Sequence, residues 1–163
     1  MTTTDFSGNV ADMPHPNFSC DSSAVQWKAF ITEGCYYKIL HVDVAAGTAE
    51  MLFKFTPNAL CVYHRHAATV STLVLEGELR IQEQTPNGEV LKIKAAGSFS
   101  VGGKGEIHIE GGGPGGAVIY FGMRTDDEVI YEILDKNLNL RRSITLADFD
   151  RDWRETWPEQ KAA

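Results

Sequence analysis

From Gln26-Trp27 onward the chain is a succession of short alternating segments divided by turn-forming residues, and that pattern leaves few folds open. Side chains alternate across a strand with period 2, so alternation marks a half-buried sheet. Tyr36 to Val44 alternates; Thr48 to Thr56 does so more cleanly, with Met51, Phe53 and Phe55 on one face. Pro57-Asn58-Ala59 is a turn, and Cys61 to His66 opens the next strand. Thr72 to Glu83 and Val90 to Lys94 are the arms of a hairpin about Pro86-Asn87-Gly88. Ser98 to Val101, Glu106 to Glu110 and Ala117 to Met123 follow, with Gly111 to Gly116 expected to turn the chain between the last two. Val129 to Leu134 and Leu140 to Ile144 flank Asp135 to Asn139 as a further hairpin. Many short strands at regular spacing imply a sandwich or barrel.

One helix is expected, and it is terminal. Thr145 is placed to cap it with Asp148 at the third helical position, and Phe149, Trp153 and Trp157 recur at helical spacing before Pro158 stops it. Those aromatics read as a packing stripe. A chain of 163 residues forms one domain by size. The expected organisation is an N-terminal arm over residues 1–24, a β-barrel over 25–144, and a C-terminal helix over 145–163 packed on the barrel.

Within this frame two segments carry chemistry. His64 and His66 are one residue apart on a strand and so share a face, and His108 follows 42 residues after His66 behind a Gly-rich run from Gly97. Adjacent imidazoles are poor core material, because each ring nitrogen needs a partner. They suit a first-row transition metal. Glu106 has the parity of His108; it is either a carboxylate that orients a ligand or takes a substrate proton, or a solvated charge at a strand end. Tyr63 and Arg65 have the opposite parity and should face outward. Cys61 reads as a small core residue, and Phe53, Phe55, Phe99, Tyr120 and Phe121 should line the barrel or its pocket. His15 and His41 lie outside both segments. Turn chemistry accounts for the glycines from 102 to 116 better than phosphate binding, since no helix follows them.

The two segments resemble the paired motifs of the cupin superfamily, small β-barrels of the jelly-roll type. In the first motif Asn58 stands at the opening Gly position, His64 and His66 fit, and Gly77 closes it; in the second, Gly97, Gly103, Gly105 and His108 fill the positions. Val70, with Ser71 beside it, stands where the family's Glu ligand would be. The resemblance is therefore to the three-histidine branch, which includes acetylacetone-type β-diketone dioxygenases and dihydroxyacetophenone dioxygenase-like cupins. Thr72 and Gln82 stand where the diketone enzymes would have a Tyr and an Arg, which argues against acetylacetone itself as substrate.

The resemblance implies His64, His66 and His108 as metal ligands and an oxidoreductase that cleaves a C–C bond of a small β-diketone or hydroxyketone with O₂. Fe(II) is the expected metal, because dioxygen chemistry needs redox activity that Zn²⁺ lacks; Zn, Ni or another divalent ion is the alternative in the purified protein. Two other functions compete: a non-catalytic metal-binding or sensor cupin similar to the cupin domain of anti-sigma factors, and an isomerase or lyase using the metal as a Lewis acid. A net charge of −7 argues against nucleic acid and anionic membranes as partners. No apolar run reaches membrane-spanning length, and with no basic residue before Lys28 and no apolar stretch there, no secretory signal is expected. Three cysteines without metal-type spacing fit reduced thiols in a cytoplasm. A homodimer or higher homo-oligomer is expected.

Overall fold

The computed structural model describes residues 20–156. His15, Trp157, Pro158 and nearly all of the expected arm lie outside the described residues. After a 3₁₀ turn at Ser22–Ala24 come β1 (Lys28–Ala29), β2 (Cys35–Asp43), β3 (Thr48–Phe55), β4 (His64–His66) and β5 (Thr69–Thr85). Then follow β6 (Gly88–Ala95), β7 (Phe99–Gly102), β8 (Ile107–Arg124), β9 (Val129–Leu134), β10 (Leu140–Thr145) and the helix α1 (Leu146–Thr156). The described residues are all-β apart from this short helix and the 3₁₀ turn.

The strands run in the order β1-β2-β3-β8-β4-β9-β10, and β5 pairs with β6, β7 and β8. All the named pairings are antiparallel. The result is a curled sheet with β8 as its spine. The clean alternation of β3 has its expected consequence: Ala49, Met51, Phe53 and Phe55 are buried beside Met123, Phe121, Ile119 and Ala117 of the neighbouring β8, within one core cluster.

The expected turn at Gly111–Gly116 is not a break between two strands. These residues belong to the single long strand β8. Leu79 pairs with Gly112 and Gly77 with Ala117, so residues 113–116 all stand opposite Glu78 alone. This bulge shifts the inward parity of β8: His108 and Glu110 are buried before it, Ala117, Ile119, Phe121 and Met123 after it. β5 shifts in step, from Val70, Thr72 and Val74 to Leu79 and Ile81. Glycine is required at the crossing. Gly77 has φ +72, and a Cβ there would lie 2.2 Å from the Gly116 carbonyl oxygen; Gly116 itself has φ +78.

Two smaller differences have local causes. The segment 61–63 is irregular, and β4 begins only at His64. Phe99, expected inside, is 63% exposed on β7, because the parity of that strand turns Ser100 inward. Helix α1 starts as the sequence implies. The Thr145 hydroxyl accepts the Asp148 N–H at 3.1 Å, and Asp148 Oδ2 accepts the Thr145 N–H at 3.0 Å, a reciprocal capping box. Leu146, Phe149 and Trp153 form the buried stripe, with Trp153 edge-on to His41 on β2.

Candidate metal centre

β4 is only three residues long, and its neighbours on both sides hold it. His64 pairs with His108 of β8 and with Ile133 of β9, and Arg65 pairs with Ile107 and Glu132. The His66 N–H donates to the Glu106 carbonyl at 3.0 Å. His64 and His108 therefore stand directly opposite each other, and the strand period brings His66 to the same face. Their donor atoms all lie within 4.8 Å of one another. The intervening Arg65 points outward, where its Nε donates to Glu132 at 2.6 Å. Tyr63 points outward too, its hydroxyl 3.5 Å from the Glu89 carboxylate.

Hydrogen bonding fixes which nitrogens are available. His64 Nδ1 lies 3.1 Å from the Val62 carbonyl oxygen, which can only accept, so Nδ1 bears the proton and Nε2 presents its lone pair. That Nε2 is 3.1 Å from His66 Nε2. His66 Nδ1 and His108 Nε2 are buried without a hydrogen-bond partner. Burial lowers all three imidazole pKa values, to about 3 for His66 and about 2 for His108, and the proximity of the other rings adds to the effect for these two. Three neutral rings turned toward one point is a costly arrangement for a core and the right one for a divalent cation, which needs deprotonated donors. The donor set fits a first-row transition metal.

Beside the three rings stands a buried carboxyl that the sequence alone did not single out. Glu110, two residues after His108 on β8, is only 4% exposed. Its Oε1 is 3.6 Å from His108 Nε2 and its Oε2 is 3.7 Å from His64 Nε2. Burial pushes its carboxyl up to about 8, opposed by the Lys94 ammonium and reinforced by Glu106. The parity rule that joins His64 to His66 also joins His108 to Glu110; the glycines that follow had suggested a strand end instead.

The cluster separates two cavities. The inner one, of about 50 Å³, is walled by Phe30, Met51, Phe53, Phe121 and Ile130, with the Tyr131 ring edge-on to His64. Cys61 also reaches it, half-buried. The other, of about 210 Å³, is polar and carries Glu83, Lys92, Lys94, Ser100 and Glu106. His66, Val70 and Glu110 line both. Val70 is thus a site residue, an apolar wall beside the cluster. Glu106 lines the polar cavity with His66 and His108, its carboxylate lying over Gly102. His41 is remote and pairs with Glu50 at 3.2 Å.

Among the described residues no helix is long and apolar enough to cross a membrane. No curated protein matches the sequence. Among solved structures, the fold is similar to an acetylacetone dioxygenase from Acinetobacter johnsonii, with a TM-score of 0.69 and 15% identity over 88% of this chain and 94% of that one. A candidate acetylacetone dioxygenase from Methylibium petroleiphilum aligns with a TM-score of 0.70 and 15% identity over 86% of this chain and 96% of the other. A Bacillus subtilis oxalate decarboxylase variant is similar over 74% of this chain but 34% of its own, with a TM-score of 0.59 and 16% identity. At such identities the likeness speaks for the fold alone. The family model of the ChrR cupin-like domain matches residues 15–122. With two thirds of its length matched and the histidine cluster in place, the chain belongs to the ChrR cupin-like domain family.

Proposed function

We propose that this protein is a non-heme Fe(II)-dependent dioxygenase that cleaves a C–C bond of a small β-diketone or hydroxyketone, with His64, His66 and His108 as metal ligands. The observation that carries the reading is the convergence of three neutral, buried imidazoles beside an apolar cavity. The dioxygenase neighbours support it at the level of fold. When bound, a ferrous ion supplies redox activity toward O₂ and Lewis acidity toward paired substrate oxygens. The protein's own residues do the rest. The Val62 carbonyl holds His64 in the tautomer that exposes Nε2. Phe30, Phe53, Phe121 and Ile130 keep water from one side of the cluster and offer room for an apolar substituent. Glu106, which lines the polar cavity, takes the acidic proton of a dicarbonyl or hydroxyketone entering there.

The family match also fits a second reading, a metal-binding or sensor domain without catalysis. Oxygen uptake by anaerobically Fe(II)-loaded protein, with a panel of β-diketones and aryl hydroxyketones and the Zn-loaded form as control, decides between them. The dioxygenase gives substrate-dependent uptake with iron, none with zinc, and acid products in matching amount. Metal retention with no uptake across the panel selects the non-catalytic reading.

A further inference from the structure

Glu110 does not make the hydrogen bonds its position calls for. Its two oxygens lie 3.6 and 3.7 Å from His108 Nε2 and His64 Nε2, beyond hydrogen-bond reach. His64 Nε2 has no proton to share, because the proton of that ring is on Nδ1, and His108 Nε2 is buried without a partner. A carboxyl group and two imidazoles thus face each other across a gap too wide for a hydrogen bond and too narrow for another residue. Donors bound to one transition-metal ion at about 2.1 Å sit roughly 3.0–3.4 Å from each other; each Glu110 oxygen stands a few tenths of an ångström outside that span from the one imidazole it faces, so ligation draws the carboxylate inward. The strand geometry fixes the backbone that carries Glu110. Glu110 is fixed by its own carbonyl accepting the Cys61 N–H at 2.8 Å, just upstream of His64, and the next residue, Gly111, bridges to Leu60.

We propose that Glu110 is a ligand of the same ion as the three histidines, so that the donor set is three imidazoles and one carboxylate supplied by β8. This inference rests on the cluster being a metal site, as proposed above. Its oxygen donor lowers the charge of the bound centre by one unit and makes the set better suited to harder divalent ions than imidazoles alone. It also assigns Val70 a part: the apolar side chain on β5 leaves the space beside Glu110 open to a substrate instead of filling it with a second carboxylate.

The test uses the full chain stripped of metal and loaded with Co²⁺, whose visible absorption reports its ligands. Wild type is compared with Glu110→Gln, which keeps the size, and with His108→Ala. If Glu110 is a ligand, Glu110→Gln changes the Co²⁺ bands at full occupancy and weakens binding tenfold or more in a chelator competition. Superimposable Co²⁺ spectra at full occupancy, whatever the affinity, would overturn the assignment while leaving the histidines in place. Should Glu110→Gln not fold, infrared difference spectra of wild type labelled with ¹³C-glutamate, with and without Zn²⁺, answer instead. A labelled carboxylate band shifted to its metal-bound position supports the ligand, and no shifted band refutes it. Wild-type binding retained in His108→Ala, or no binding by wild type, would overturn the metal centre itself and this inference with it.

Discussion

The two sides of the histidine cluster are built from different material. On the inner side, Phe53, Phe121, Met123 and Ile130 belong to the buried core, so the wall of the cavity is also the interior of the barrel. On the other side, Lys92 pairs with Glu83, Lys94 donates to Ser100 Oγ at 2.6 Å, and the β6 strand that carries both lysines is exposed along most of its length. One wall therefore contributes stability and excludes water; the other contributes charge and is largely exposed along β6. The cluster stands at the boundary, and this explains how its imidazoles are desolvated on one side while Glu110 still feels the Lys94 ammonium from the other.

The sharpest way to break this contrast is on the inner wall. Phe121→Ala should cost about 3–5 kcal/mol of stability, because a buried aromatic leaves a cavity that strands on both sides of β8 cannot close. Denaturant unfolding of the metal-free protein measures it, and a loss under about 1 kcal/mol would show that the cavity wall is not part of the core.

The boundary itself has a pH signature in the metal-free protein. Glu110 holds its proton up to about pH 8 when folded, against an ordinary value near 4.5, so the folded state binds more protons between those limits. Stability from this group is therefore lost as pH rises through that window. The histidines act in the opposite sense, since their depressed values raise stability as pH climbs, but that gain is complete by about pH 6.5. Between pH 6.5 and 8, wild type should lose up to about 2 kcal/mol relative to Glu110→Gln, other titrations cancelling in the difference. Parallel curves for the two proteins would show that Glu110 is already solvated.

The smallest effect belongs to the polar wall. Lys94→Met should change stability by less than about 0.5 kcal/mol, in contrast with Phe121→Ala. It should also move the Glu110 transition to higher pH, because the ammonium that favours the carboxylate is gone. A carbonyl-region infrared titration of the metal-free protein follows that transition, and an unmoved midpoint would mean that Lys94 and Glu110 are screened from each other.

Much of this protein was legible before folding. Alternation in β3, the hairpin about Pro86-Asn87-Gly88, and the Thr145–Asp148 cap are local rules, set by side-chain parity, turn geometry and a hydrogen bond three residues long. The His64/His66 pair is also local, since period 2 alone puts both rings on one face. What local rules could not decide was which strands meet. That His108 stands opposite His64 is a register between segments far apart in sequence. That Glu110 joins them depends on the same register, on β8 continuing through its glycines, and on the bulge at residues 113–116 that shifts its parity only afterwards. Phe99 failed the converse test: apolar by type, it was turned outward by its strand. The sequence by itself determined the class of fold and three of the groups around the centre, because periodicity is written along the chain. Tertiary structure alone decided that a carboxylate stands among them and that one side is apolar and the other charged, because those depend on contacts across strands, where burial and distance are set.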